Sequence, residues 1–210
     1  MMITQHEFDL VLQKCKSLSP AKGMYLEHDY ITNLFLTVLD FQLPSRTVES
    51  SIGYYREHRW NEIRTLTDLK SLLAKYPDNR NGNIAASLHL WGYRYWNRIS
   101  LLRKLVAYFE SMGITSQEAL SHWAKTSDFE RDFKEKIPKM GFAIYKWLVM
   151  RQGVETIKPD IHVRRFVESI IHRVLCGNEL VTLLEKVAKQ LGMKAYELDW
   201  RTWEYQRKAR

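Results

Sequence analysis

Apolar residues recur at spacings of three and four along nearly the whole chain, and this periodicity limits the fold more than any other feature of the sequence. Phe8, Val11 and Cys15 share one helical face near the amino terminus, and residues 30–43 show a denser version of the same pattern. Such spacing follows the 3.6-residue turn of an α-helix. No segment alternates apolar and polar residues as a half-exposed strand does. We therefore predict an all-α fold of roughly ten to twelve helices.

Turn and cap residues divide this pattern into separate helices. Pro44 ends the segment 30–43, Gly113 follows another helix as a C-terminal cap, and residues 76–83 (YPDNRNGN) give the strongest loop signal. The other predicted helices cover 45–56, 66–73, 84–91, 96–111, 116–125, 127–135, 140–152, 161–175, 178–191 and 195–207. We expect a single unit of two helical lobes, 30–135 and 136–207, preceded by an N-terminal helix within residues 1–29.

The charge balance favours an acidic partner. The 210 residues include 32 lysines and arginines against 24 aspartates and glutamates, a net charge of +8. An excess of this size favours a polyanion, most simply nucleic acid. The two cysteines, Cys15 and Cys176, are too few to hold a zinc ion or an iron–sulfur cluster by themselves. No apolar run approaches the roughly 20 residues of a membrane span and the start lacks a signal-peptide core, so we expect an intracellular protein.

One segment, residues 137–171, combines a tight turn with two helices and an aspartate. The turn Ile-Pro-Lys-Met-Gly (137–141) leads directly into a predicted helix that ends near Gly153. A short linker then reaches Lys158, Pro159 and Asp160, where the next helix begins. Backbone N–H groups at such a turn and helix start are suited to binding phosphate. Taken alone, Asp160 is a common helix N-cap residue, and a carboxylate at this place is also suited to acid–base chemistry.

This segment resembles the helix-hairpin-helix DNA glycosylase superfamily. The hairpin of that family reads roughly Leu-Pro-Gly-Val-Gly, and its catalytic segment reads roughly Val-Asp-x-His-Val-x-Arg. The matching positions here are Ile137, Pro138, Met140 and Gly141 in the hairpin, and Asp160, His162, Val163 and Arg165 in the segment. Weaker likeness extends over residues 30–207. Two positions depart from the pattern: Lys139 replaces the first hairpin glycine, and Ala143 replaces the lysine of members with lyase activity.

The resemblance implies a monofunctional DNA glycosylase of base excision repair, without an iron–sulfur cluster. Such an enzyme rotates a damaged base out of the duplex and hydrolyses its bond to the sugar. Asp160 would be catalytic, either stabilising the oxocarbenium-like sugar or activating water. Two alternatives stay open: a glycosylase/lyase that uses another lysine such as Lys146, and a helix-hairpin-helix DNA-binding protein without chemistry. The damaged base is undetermined, with a slight preference for alkylated or otherwise modified purines.

The expected partner is double-stranded DNA that contains a damaged base, bound by a monomer. No cofactor is expected, although a monovalent cation at the hairpin is compatible with the resemblance. The predicted DNA contacts are Gln42, Arg46, Lys139, Met140, Gly141, Lys146, Arg164 and Arg165. The predicted lining of the base pocket is Tyr30, Asp40, Trp91, Tyr93 and Trp96. Three further tryptophans, Trp147, Trp200 and Trp203, are predicted to lie in the core.

Overall fold

The computed structural model describes residues 3–21 and 26–208, and the parts of the predicted N-terminal helix at residues 1–2 and 22–25 lie outside this description. The described residues form helices and no strand, which confirms the predicted all-α fold. The helices are α1 (Gln5–Lys16), α2 (Tyr30–Leu39), α3 (Ser45–His58), α4 (Leu66–Ala74), α5 (Arg80–Trp91), α6 (Trp96–Ser111), α7 (Gln117–Thr126), α8 (Phe129–Asp132), α9 (Phe142–Arg151), α10 (Ile161–Ile171), α11 (Gly177–Gln190) and α12 (Ala195–Lys208).

The chain divides into two compact units. The terminal unit consists of Met1–Leu26 and Tyr145–Arg210, and the central unit consists of Glu27–Ile144. The division therefore falls inside α9, later in the chain than the lobe boundary at 135/136 that the sequence led us to expect. The N-terminal helix α1 belongs to the terminal unit, where it packs against α10 and α11.

The central unit is built around α2, a helix whose ten residues are all buried. A helix that is buried on every side needs other parts of the chain around it, and α2 packs against α3 and α6. Polar side chains of α2 form hydrogen bonds with the backbone. Asn33 donates to the carbonyl oxygens of Glu27 and Asp29, which precede the helix, at 3.0 and 3.1 Å, and Thr37 donates to Asn33 O at 2.7 Å. Buried polar groups that are paired in this way cost little.

The terminal unit places α10 and α12 side by side, with α11 against α12 and α1 against α10. Val163, Phe166 and Val167 of α10 are fully buried, as is Leu198 of α12. This apolar contact fixes the start of α10, and with it the position of Asp160.

Several helix boundaries differ from the sequence prediction, and one of them is the end of α2, at Leu39 rather than residue 43. The loop predicted at 76–83 ends early, because Asn79 caps α5 by accepting from Gly82 N at 2.9 Å. The helix predicted at 127–135 is a single turn, α8, and Glu135 beyond it has φ 62°. Helix α10 stops at Ile171 rather than residue 175, because His172 adopts the left-handed conformation that ends helices.

Within residues 3–21 and 26–208, no helix is long and apolar enough to cross a membrane.

Candidate functional site

The predicted hairpin is present in the central unit, between α8 and α9. Ile137 and Met140 are buried, and Met140 N donates to Ile137 O at 3.2 Å to close the turn. Phe129 of α8 packs edge-on against Phe142 of α9, with ring centroids 5.1 Å apart. These apolar contacts hold the turn in place, and the Met140 side chain is buried among them rather than placed to contact DNA as predicted.

Lys139 occupies a backbone conformation that glycine adopts more readily than lysine does. Its φ is 68°, in the left-handed region that side chains with a Cβ adopt at a cost. The lysine accepts this strain and is exposed at the tip of the turn. At Gly141, by contrast, φ is not positive and a Cβ would meet no heavy atom within 4 Å. Position 139 of the hairpin therefore requires a left-handed backbone conformation, and here the residue at this position also carries a positive charge.

The start of α9 offers unpaired backbone donors. Among the described residues, none accepts a hydrogen bond from the backbone N–H of Gly141 or Ala143. The helix dipole adds partial positive charge at the same end. Together with the exposed ammonium group of Lys139, this arrangement is suited to binding an anion such as a phosphate.

Asp160 caps helix α10 in the terminal unit, as the simplest interpretation of the sequence predicted. One carboxylate oxygen, Oδ1, accepts hydrogen bonds from His162 N at 2.8 Å and Val163 N at 3.0 Å. The side chain is half-buried. In the described part of the chain no residue donates to the other oxygen, Oδ2. The cap therefore fixes the carboxylate through Oδ1 alone.

A second carboxyl group, Asp199 of α12, lies close to Asp160 and was not among the predicted site residues. It is 5% exposed, and its Oδ1 accepts from Lys158 N at 2.7 Å. Burial, reinforced by the nearby charge of Asp160, raises the pKa of Asp199 to about 8. A signal for it exists in the sequence, because Ala195, Leu198, Asp199 and Thr202 are spaced as one buried helical face.

Trp147 lies between two cations in the terminal unit. The Lys158 ammonium is 4.8 Å from its ring centroid and the Arg151 guanidinium is 5.1 Å away. Trp147, Trp200 and Trp203, which the sequence placed in the core, are half-buried, and the indole nitrogen of Trp147 is itself buried. Trp203 instead meets the ring of His162 edge-on at 6.3 Å, beside the start of α10.

The predicted basic contacts differ in their exposure. Arg46, Lys139 and Arg165 are exposed, and Lys146 is half-buried on α9. Arg164 donates from Nη1 to Leu175 O at 3.1 Å, so part of its guanidinium holds the chain after α10 rather than a phosphate. Gln42 is exposed and has φ 58° in the turn between α2 and α3.

Only some of the residues predicted to line the base pocket are accessible to a base. Tyr30 and Trp91 lie in the core: Trp91 is fully buried against Phe35, and Tyr30 donates its hydroxyl to Ile114 O at 2.5 Å. Neither can stack on a base, which corrects that part of the prediction. Asp40 is half-buried at the C-cap of α2.

The turn between α5 and α6 carries the exposed aromatic residues. Tyr93 is 38% exposed and Trp96 is 43% exposed, and Tyr95 stacks on Tyr93 with centroids 5.6 Å apart. Gly92 makes the turn possible, since its φ is 71° and a Cβ would come within 3.0 Å of the Tyr54 ring.

Across residues 3–21 and 26–208, no three His, Cys, Asp or Glu side chains are grouped as metal ligands would be.

The helical architecture of the described residues has a counterpart among solved structures, that of endonuclease III. A solved structure of endonuclease III, trapped as a covalent intermediate with DNA in an estranged-adenine complex, matches this chain with a TM-score of 0.63 and 18% sequence identity. The match covers 97% of this chain and 86% of the endonuclease III chain. The chain belongs to the family described as domain of unknown function DUF8548, whose model matches residues 98–207. No curated protein matches the sequence.

Proposed function

We propose that the protein is a monofunctional DNA glycosylase that excises a damaged or modified base by hydrolysis. The observation that carries this proposal is the Asp160 carboxylate, which is fixed by two backbone N–H groups through Oδ1 and has Oδ2 available. It follows, at the spacing of the resembled family, a hairpin suited to holding a phosphate. The structure of endonuclease III that shares this fold is a complex with DNA, which supports DNA as the partner.

The proposed reaction is the hydrolysis of the bond between the base and the sugar. The base leaves with the electron pair of that bond, and the sugar becomes oxocarbenium-like. Oδ2 of Asp160 either stabilises this cation directly or orients the attacking water. The water oxygen bonds to the anomeric carbon, and a proton from the water ends on the departing base. The products are a free base and an abasic site.

DNA binding is proposed to use the exposed groups rather than all those first expected. Lys139 and the N–H groups of Gly141 and Ala143 would hold a phosphate, and such contacts position DNA without reading its sequence. Tyr93 and Trp96 are exposed and can stack on bases. Gln42 is proposed to fill the gap left by the rotated base. We expect no cofactor, and a monovalent cation at the hairpin remains compatible with this arrangement.

The test is an excision screen with duplexes that each carry one defined lesion: alkylated purines, deaminated bases and oxidised guanine. Wild type is compared with D160N, in which the amide oxygen can still cap α10 while the charge is lost. D128N is the matched control, because Asp128 caps α8 in the same way by accepting from Glu130 N and Arg131 N. We expect D160N to lose excision and D128N to keep it. Equal excision by wild type and D160N on every active substrate would remove Asp160 from the mechanism.

The monofunctional assignment rests on Ala143, since a methyl group cannot form the Schiff base that lyase chemistry needs. The alternative enzyme would use another lysine, such as Lys146. Borohydride reduction during the reaction distinguishes the two, because it traps a Schiff base as a stable protein–DNA adduct. We expect no adduct with wild type. An adduct that disappears in K146A would establish the glycosylase/lyase instead.

A further inference from the structure

Asp199 is the most deeply buried carboxyl group beside the Asp160 segment. It comes from α12, 41 residues away from its hydrogen-bond partner Lys158. Its Oδ1 accepts from the backbone N–H of Lys158 at 2.7 Å, and Asp160 N in turn donates to Lys158 O at 2.7 Å. The segment that precedes α10 and contains Asp160 is therefore hydrogen-bonded to a side chain of α12, in addition to the packing between the helices.

Resting on the function proposed above, we propose that Asp199 is the positioning residue of the Asp160 site: its buried carboxyl group holds the segment Lys158–Pro159–Asp160 and thereby fixes where Oδ2 of Asp160 lies. Asp199 need not touch the substrate for this role. Misplacing a catalytic group by about 1 Å can reduce a rate by about 100-fold. A single hydrogen bond at this place can thus control the chemical step while leaving the DNA contacts of the hairpin unchanged.

The charge state of Asp199 fits this role. Helices α10 and α11 pack against α12. The charged groups that act on Asp199 are Asp160, at the start of α10, and Lys158, and no described residue of α11 adds to them. Burial, together with the charge of Asp160, raises the pKa of Asp199 to about 8, so the carboxyl group is protonated at neutral pH. A neutral Asp199 accepts the Lys158 N–H without repelling the Asp160 carboxylate.

Ionisation of Asp199 should disturb the site. A second carboxylate in a buried place is poorly solvated and is repelled by the first. Both costs are relieved when the segment 158–160 moves away from α12. The excision rate should therefore fall as the pH rises past about 8, the pKa of Asp199.

Two substitutions separate positioning from a general effect on folding. D199A removes the acceptor, and we expect the single-turnover excision rate at pH 7 to fall by roughly 100-fold. D199N keeps an oxygen acceptor and cannot ionise, so it should recover most of the lost rate. It should also hold that rate above pH 8, where wild type declines. Thermal unfolding of both variants identifies the pH range in which each is fully folded. The proposal is overturned if D199N is as slow as D199A, or if wild type and D199N share one pH profile.

The closing experiment uses binding, so that it does not depend on which lesion is excised. The probes are two duplexes, one with a pyrrolidine abasic-site analogue, whose ring nitrogen is cationic, and one with the neutral tetrahydrofuran analogue. A site complementary to a cationic sugar prefers pyrrolidine. We expect wild type and D199N to show this preference, and D160N and D199A to lose it. If D160N keeps the preference, the proposed function fails. If D160N loses it while D199A keeps it, only the role of Asp199 fails.

Discussion

Lys139 and Glu135 hold the same left-handed backbone conformation, with φ 68° and 62°, and carry opposite charges on the two sides of the buried Ile137. Each residue is strained, because the left-handed region costs a non-glycine residue about 1 kcal/mol or more. Glycine at either position relieves that cost. The pair therefore allows the charge at the hairpin to be separated from its backbone strain.

The first prediction is that K139G stabilises the fold and weakens DNA binding. We expect the free energy of unfolding to rise by about 1 kcal/mol, because glycine adopts this φ without strain. DNA affinity should fall several-fold, and the slope of its logarithm against that of salt concentration should shrink by about 1, because one phosphate contact is lost. Urea unfolding and salt-dependent fluorescence anisotropy measure the two effects.

E135G is the control for K139G, since it relieves the same strain and removes a negative charge instead. It should gain similar stability without any loss of DNA affinity. Parallel loss of affinity in both variants would mean that the turn conformation, and not the lysine charge, governs binding.

The second prediction concerns the exposed aromatic turn between α5 and α6. Stacking of a base on an aromatic side chain contributes about 1–3 kcal/mol, so W96A should weaken DNA binding by roughly 5- to 150-fold. Leu88 is the matched control, because it is 37% exposed against 43% for Trp96 and lies on the preceding helix. L88A should bind DNA as wild type does. Equal affinities for W96A and wild type would exclude Trp96 from the binding surface.

Much of the fold could be predicted because helix starts and ends are encoded locally. The helix at 96–111 has the predicted bounds, and Thr65 caps α4 locally, where its hydroxyl oxygen accepts a hydrogen bond from Asp68 N. The ends that were misplaced depend on a single backbone conformation. His172 turns left-handed at the end of α10, a conformation that only a few per cent of non-glycine residues adopt.

The candidate site was predictable only where a motif marks it. Asp160 is found because a turn and a helix start surround it in sequence. Tyr30 and Trp91 were misassigned because the same residue types serve cores and base pockets, and only tertiary packing decides between them. Asp199 was not predicted because no motif marks it and its hydrogen-bond partner Lys158 is 41 residues away.

The third prediction concerns the ion pair between Glu7 of α1 and Arg173, which follows α10. The hydrogen bond from Arg173, together with those at the Thr4 cap, lowers the pKa of Glu7 from 4.5 to about 2. A carboxylate with a lowered pKa stabilises the fold at neutral pH, and this stability is lost as the pH falls from about 4.5 to about 2. E7Q should therefore be less stable than wild type at pH 7, and the difference should shrink towards pH 2 in urea unfolding. The more exposed pair Lys70–Glu110 is the control, and E110Q should change stability little at either pH.

The last prediction follows from the protonated Asp199, and its sign is opposite to that for Glu7. The unfolded chain releases this proton near pH 4, whereas the folded protein holds it until about pH 8, because burial and the charge of Asp160 raise the pKa of Asp199. Between these values the native state binds more protons than the unfolded state, so the stability contributed by this group falls with rising pH, by at most about 1.4 kcal/mol per pH unit. D199N has no proton to release, and its free energy of unfolding should stay level in that range. The difference between D199N and wild type in urea unfolding should consequently grow from pH 5 to pH 8.

D199A should show the same growth from a lower starting stability, because it leaves Lys158 N without its acceptor. Curves for wild type and D199N that remain parallel over this range would show that Asp199 is ionised in the folded protein.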